Sequence, residues 1–410
     1  MRVLFLTSHF PFPPDSGAAL KTWSVYEHLR KSHELSGIAI ARDSLTPTQQ
    51  AYADQAHIRT VTLKKGRSVS NLIRSYFRRL PLSVERNRSD QVQSLVEEQL
   101  KADLPAAVFV DGWLMAQYLP DWFPGLKLLH EHNAEYRVWQ REAAERGRGI
   151  TGTLLRREAG RVRSYEASIL HRFDVVFAVS EDDRRSLAVI GGESTHYDVL
   201  HNIPDPALLA RPSLSFAATE PLIFYFGTLS WQPNIDGLER LITNILPGVL
   251  ERIPEARLAI AGRGAPDSIV ALASGKEAID LVGELGDDAE EWYARARVFV
   301  EATKTGGGTR LKVLNALARG LPVVASVQAA QGLDVVPGDH LMIARSDGEM
   351  IDDIVRLMTD AARWRVLSEN GRALVRGKYV AEIVFTALDR VLTSSGQPPA
   401  SAISRRRGRR

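Results

Sequence analysis

The densest grouping of ligand-binding chemistry in the 410-residue sequence is Gly306-Gly307-Gly308-Thr309-Arg310, with Lys312 two residues on. An apolar strand, Val298 to Val300, leads into the glycines, and Leu311, Leu314, Leu317 and Ala318 then recur at helical spacing. The bare backbone amides of such a helix start form an anion site. Arg310 and Lys312 stand where acidic side chains are usually preferred, so dipole, amides and cations would all favour a phosphate-bearing ligand. A plainer reading stays open, in which the glycines only let strand and helix pack closely and both cations are solvated. A second grouping, His130-Glu131-His132 with Asn133 and Glu135, follows the strand Lys127 to Leu129. Open α/β sheets bind ligands at that end of a strand, which marks His132 as functional. The histidines lack the i, i+4 spacing of a zinc helix, so no metal is expected there. A third is the proline-stiffened loop HFPFPPDSG, in which Gly17 would let backbone approach a ligand.

The elements that must position these residues alternate as strand and helix, the pattern of an α/β chain with parallel sheets. Strands are read at Arg2–Ser8, Leu35–Ala41, His57–Leu63, Ala106–Asp111, Lys127–Leu129, Val175–Val179 and Asp198–Leu200. A second series runs through Leu222–Phe226, Ala256–Ala261, Ile279–Val282, Val298–Val300 and Pro322–Ala325. The aperiodic stretch 207–220 reads as a linker, giving domains 1–206 and 221–380, a C-terminal helix 381–395 returning toward the first domain, and a basic tail 396–410.

Apolar content of 44%, charged content of 25% and the absence of any run of about eighteen apolar residues fit a soluble globular chain without a membrane span. The opening MRVLFLTSHF reads as a first strand rather than a signal sequence. The absence of cysteine excludes disulfides and thiolate sites and fits a cytoplasmic setting. The net charge of +3 hides basic clusters: Lys64, Lys65, Arg67, Arg74, Arg78, Arg79, Arg86 and Arg88, then Arg156, Arg157, Arg161 and Arg163, then the tail from Arg405. Leu72, Ile73, Tyr76, Phe77 and Leu80 interleave with the first cluster as one helical face. That pattern fits either an interfacial helix on an anionic membrane or a surface helix with a buried face. No nucleic-acid reading module accompanies these clusters, so a nucleic-acid partner is not expected.

Several segments, in this order, resemble the glycosyltransferases of family 4, in particular bacterial polysaccharide-assembly enzymes: HEHNAEYRVWQR and VSEDDR, then FGTLSWQPNIDGL, ARLAIAGRG, and VFVEATKTGGGTRLKVLNALARGLPVVAS followed by AQGL. The resemblance implies an α/β fold of two doubly wound Rossmann-like domains facing across a cleft, the GT-B fold. It implies a retaining, metal-independent transfer of a hexose from a UDP- or GDP-sugar to a glycan or lipid-linked glycan, with no cofactor. It also implies work at the inner face of the cytoplasmic membrane. Carried over, Gly17 would lie near the donor diphosphate and His132 near the transferred sugar. Gly227 would face the cleft, Val282 and Gly283 would border the base, and Gly307, Gly308 and Thr309 would cradle phosphate. The family's Glu-x7-Glu positions are Gly307 and Asn315 here, so Asn315 would offer a ribose an uncharged partner. The loop TLSWQPN lacks the family's Arg and Lys, which leaves the diphosphate to Arg310, Lys312 and Arg263. Two other functions compete: a non-catalytic nucleotide-sugar-binding protein and a nucleotide-sugar epimerase.

Overall fold

The computed structural model describes all residues except 15, 64–68, 148, 193, 287, 306–308 and 395–410. The expected phosphate-cradle residues Gly307 and Gly308 therefore lie outside the described residues, as do Lys64, Lys65, Arg67 and the arginine tail. The chain divides into two compact units, Met1–His201 with Val384–Arg410, and Asn202–Ile383.

The first unit is built on seven parallel strands: β1 (Arg2–Thr7), β2 (Glu34–Ala41), β3 (Ile58–Thr62), β4 (Ala107–Asp111), β5 (Leu126–Glu131), β6 (Val175–Ala178) and β7 (His196–Val199). Their order is β3-β2-β1-β4-β5-β6-β7. Side chains alternate across the sheet, so Leu4, Leu6, Val108 and Val110 fill one core while Phe5 stacks on Phe109, ring centroids 5.1 Å apart, on the other face. Direction reverses between β1 and β4, which makes their carboxyl ends the crevice of this sheet.

The second unit repeats the plan with β8 (Leu222–Phe226), β9 (Arg257–Ala261), β10 (Ile279–Gly283), β11 (Val298–Glu301), β12 (Val323–Ser326) and β13 (Met342–Ala344), in the order β10-β9-β8-β11-β12-β13. Ile223, Tyr225, Val298 and Val300 enter one core, while Phe224, Phe299, Val323 and Ala325 enter the other. The reversal falls between β8 and β11. Helices Gln232–Arg240 and Leu311–Arg319 follow these two strands.

Several elements differ from the sequence expectation. The residues from Trp139 to His171 keep a helical pattern throughout, yet they belong to two helices, Glu135–Glu145 and Ile150–Leu170, because the chain turns at Gly147 with a φ of 68°. Residues 207–220 are packed chain rather than a free linker. Leu208 is buried, Arg372 Nη2 donates to the carbonyls of Leu209 and Arg211 at 2.8 and 2.7 Å, and Arg297 lies 3.8 Å over the Phe216 ring. The helix expected over 381–395 is two short pieces, Ala381–Val384 and Thr386–Ser394, and the second lies in the first unit, where Asp389 Oδ1 meets His28 Nε2 at 2.7 Å and Phe385 stacks on the His28 ring at 4.0 Å. The Val69–Arg78 helix is turned inside out for a water-soluble surface. Among its described side chains Ser75 is buried, and Leu72, Ile73, Tyr76 and Phe77 are exposed.

Candidate functional site

In the first unit, polar side chains converge at the β1/β4 crevice. Asp111, the last residue of β4, is fully buried. Its Oδ1 accepts from His130 Nδ1 at 2.9 Å and from His132 Nε2 at 2.7 Å. Its Oδ2 accepts from Thr22 Oγ1 at 2.5 Å and Thr7 Oγ1 at 3.3 Å, and Thr22 in turn meets His9 Nε2 at 2.9 Å. The strand ends of β1, β4 and β5 and the helix Gly17–Ser32 thus all supply groups to a single network. Gly17 opens that helix, with Ser16 Oγ accepting from Ala19 N as its cap.

Burial alone would raise the Asp111 carboxyl, but His132 and His130 outweigh it and hold it well below the usual carboxylate range. Burial pushes His132 down to about 3, helped by the Lys21 ammonium and opposed by Asp111. The imidazole is therefore neutral at pH 7. Because an ionised carboxylate only accepts, the His132 proton sits on Nε2, and Nδ1 keeps a lone pair. So weak a base does not remove a proton from a hydroxyl at neutral pH, but it can accept a hydrogen bond and orient one. Burial also lowers Lys21 to about 8, against the pull of Asp111, Asp183, Glu135 and Glu131.

Asp111, His130 and His132 offer three ligand atoms within 4.8 Å of one another, close enough to hold a metal ion. A cation there would displace both histidine–carboxylate hydrogen bonds and face the Lys21 charge that already depresses His132. The Nε2 of His130, also buried, makes no well-formed hydrogen bond in this network. Below it, Glu131 is fully buried, and neither of its oxygens makes a well-formed hydrogen bond. Burial raises its carboxyl well above the ordinary value, with Glu166 and Glu135 adding to the effect and the Trp113 amide opposing it.

In the second unit, the β8/β11 switch point holds a cationic box. Lys312, in the first turn of the Leu311–Arg319 helix, places Nζ 2.7 Å from Tyr225 Oη and 2.9 Å from Asn234 Oδ1. It also lies 2.7 Å from Glu301 Oε2, an ion pair whose angle falls short of a hydrogen bond. Glu301 is the last residue of β11 and is fully buried. Burial lowers the Lys312 ammonium from its usual value, while Glu301 holds it up. A Cβ at Gly227 would stand 2.9 Å from Lys312 Nζ, so the glycine is what admits the ammonium to the strand end. Gly262 is needed one step further out, at φ 140°, because a Cβ there would meet the Gly227 carbonyl. Gly262 N donates to Gly283 O at 2.7 Å, and Leu229 N donates to Arg263 O at 2.9 Å. Gly227, Arg263, Gly283 and Lys312 therefore fall in one neighbourhood, with Val282 beside Gly283 on β10.

The plainer reading, with both cations solvated, does not hold. Arg310 is 6% exposed, its Nη2 donates to Thr305 O at 2.6 Å, and its guanidinium lies 5.0 Å from the Trp231 ring. Asn315 is already engaged, its Oδ1 accepting from Asp205 N at 3.0 Å. Thr309 is also held, by Asn202 Nδ2 on its carbonyl at 3.3 Å and through a long hydroxyl contact of 3.4 Å to Gly332 O. Asp111, Thr22, Glu301, Tyr225 and Asn234 were not singled out from the sequence. The signal for Asp111 and Glu301 was present, since each is a lone carboxylate ending an apolar strand run, AVFVD and VFVE.

Residues 220–360 match the family model described as "Glycosyl transferases group 1". Over 201 residues the chain is 27% identical to a GDP-mannose-dependent monoacylated alpha-(1-6)-phosphatidylinositol monomannoside mannosyltransferase of Corynebacterium glutamicum, covering 47% of this chain and 52% of that protein. It is 32% identical over 125 residues to a sulfoquinovosyl transferase of Arabidopsis thaliana, covering 30% of this chain and 22% of that one. The chain thus spans about half, or less, of the length of the curated relatives it matches. Among solved structures, a sucrose-phosphate synthase of Thermosynechococcus elongatus superposes with a TM-score of 0.67 at 18% identity, over 96% of this chain and 99% of that one. The Anabaena protein HepE in complex with UDP also gives 0.67, at 13% identity over 96% and 100%. These likenesses show the fold: two doubly wound α/β units in one chain, the GT-B class.

Proposed function

We propose that the protein is a glycosyltransferase that moves a hexose from a UDP- or GDP-sugar to a glycan acceptor, lipid-linked, during polysaccharide assembly. Transfer proceeds with retention at the anomeric carbon and without a metal. The observation that carries this reading is the cationic box of Lys312, Glu301, Tyr225 and Asn234 beside Gly227, with Arg310 opening the same helix. It lies inside the segment that matches the group 1 glycosyl transferase model. A departing nucleoside diphosphate gathers negative charge, and cations fixed on a strand end and a helix start stabilise it with little reorganisation. Arg310 and Lys312 would take that role with Arg263, and Thr309 and the glycines before it would border the phosphates. His132, neutral and held by Asp111, would orient a sugar hydroxyl. Among the described residues no helix is long and apolar enough to cross a membrane, so a lipid-linked acceptor would be met peripherally, at the inner face of the cytoplasmic membrane.

Incubation with radiolabelled UDP- and GDP-hexoses and a lipid extract, with and without a chelator, tests the reading. Label transferred to lipid or glycan with release of the nucleotide, unaffected by the chelator, is the expected result. A nucleotide-sugar-binding protein without turnover is the second reading, favoured by the engagement of Asn315 with Asp205. Tight binding with no release of nucleotide from any donor would select it.

A further inference from the structure

We infer that the Val69–Arg78 helix, together with the first turns of the Ile150–Leu170 helix, is a docking surface for an anionic lipid bilayer. The helix carries its apolar side chains outward: Leu72, Ile73, Tyr76 and Phe77 form one face, with Phe77 81% exposed. It is fixed in that orientation from beneath. The Arg161 guanidinium donates to the carbonyls of Ser75 and Leu80 and, at 2.9 Å, to Ser75 Oγ. Leu82 N donates to Glu158 Oε1 at 2.5 Å. The spacing of Ile150, Leu154, Arg157 and Arg161 puts them on one stripe of their helix. Arg157 lies 5.9 Å from the Tyr76 ring, and Ile150 (83% exposed) and Leu154 continue the apolar surface along that stripe.

Charge selects the occupant. Glu85 is buried beneath Arg74 and Arg78, at 3.6 and 3.4 Å, so its carboxylate is withdrawn from the surface. Among the described residues of 69–88 and 150–163, every exposed charged side chain is an arginine. A second copy of the chain would bring the same arginines face to face across a two-fold axis. An interface of apolar side chains rimmed by arginines instead suits lipid tails below anionic headgroups. The inference rests on the proposed function only for the acceptor that would be met there.

Co-sedimentation of the full chain with phosphatidylcholine vesicles, with and without phosphatidylglycerol, is the test. Binding to the anionic vesicles alone, released as salt rises, is expected. Ile73→Ser with Phe77→Ser replaces exposed side chains, so the fold is retained and partition falls roughly tenfold or more. Arg79→Asn with Arg157→Ser should release the protein at lower salt. Binding that survives both variants, or that is lost only on deleting 395–410, overturns the assignment. So does self-association through this face without vesicle binding, read by sedimentation velocity. UDP and GDP affinity, measured by calorimetry on the same variants, stays unchanged and keeps failure here separate from failure of the donor site.

Discussion

Arg310 and Lys312 stand two residues apart, yet their surroundings give them different tasks. Glu301 balances the Lys312 charge at 2.7 Å, while Arg310 adds its charge from the helix start, over the Trp231 ring. Removing a fixed cation at developing charge costs about 2.7–4 kcal/mol, so Arg310→Ala is expected to lower turnover by roughly 10²–10³-fold. Lys312→Ala also strands Glu301 in the interior, which costs roughly 3–5 kcal/mol of stability. The double change Lys312→Met with Glu301→Gln should recover the melting temperature but not turnover. Steady-state kinetics beside thermal melts separate these effects, and normal turnover in both single variants would remove the two cations from the site. The buried Glu131 gives a pH signature. Its folded pKa is raised above the ordinary 4.5, so the stability it contributes is complete below that value and is lost as pH rises toward the folded pKa. One proton corresponds to about 1.4 kcal/mol per pH unit over that window. Glu131→Gln has no proton to lose, so its melting temperature is expected to match the wild type near pH 4.5 and exceed it at pH 8. Parallel melting curves across that range would show Glu131 ionised in the folded protein.

At the scale of elements, the glycine at the end of β9 sets how closely three strand ends approach. Gly262→Ala would drive a Cβ into the Gly227 carbonyl at a φ of 140°. Overpacking and backbone strain together cost roughly 2–6 kcal/mol. A large drop in melting temperature together with weaker nucleotide binding is expected, and an unchanged melt would mean that β8 yields freely. Asn315 tests a second junction. Its Oδ1 holds the Asp205 amide at 3.0 Å, so Asn315→Ala should cost about 1 kcal/mol of stability. Asn315→Glu should tighten UDP or GDP binding if the side chain also reaches a ribose, because a charged acceptor bonds more strongly. Calorimetry with both nucleotides decides. Strands and most helices were legible because apolar runs and helical spacing are local properties. The three-residue β13 was not, since Met342–Ala344 is too short to show a period, and neither was the break at Gly147 inside a continuous helical pattern. His132 stands out in the sequence because it follows a strand within a run of polar residues, whereas Asp111 and Glu301, single carboxylates that end apolar runs, do not. The site was not legible where the partner comes from another element, as with Thr22, Tyr225 and Asn234, whose roles exist only through the fold.

At the scale of the whole chain, the first unit is not continuous in sequence: residues 1–201 are joined by the segment from Val384, and the second unit is the stretch between. The aperiodic composition of 207–220 reads as a linker. Composition does not reveal that Arg372 and Arg297 fasten those residues to the second unit. The C-terminal segment has a clear energetic role. Val384, Phe385, Leu388 and Leu392 are each nearly or fully buried, and Asp389 pairs with His28. Burying four such side chains contributes about 6–12 kcal/mol as an upper estimate, which is comparable to the whole stability of a typical domain. Truncation after Ile383 is therefore expected to unfold or aggregate the first unit. Residues 202–383, with their own six-stranded sheet and two cores, are expected to fold alone and keep a cooperative melt. If UDP or GDP is held by that unit, either nucleotide at about a hundred times its dissociation constant should stabilise the isolated fragment by roughly 2.7 kcal/mol. Differential scanning calorimetry on the full chain, the truncation and the fragment reads all three outcomes. A truncated chain that still shows both transitions would contradict the role given to the C-terminal helix.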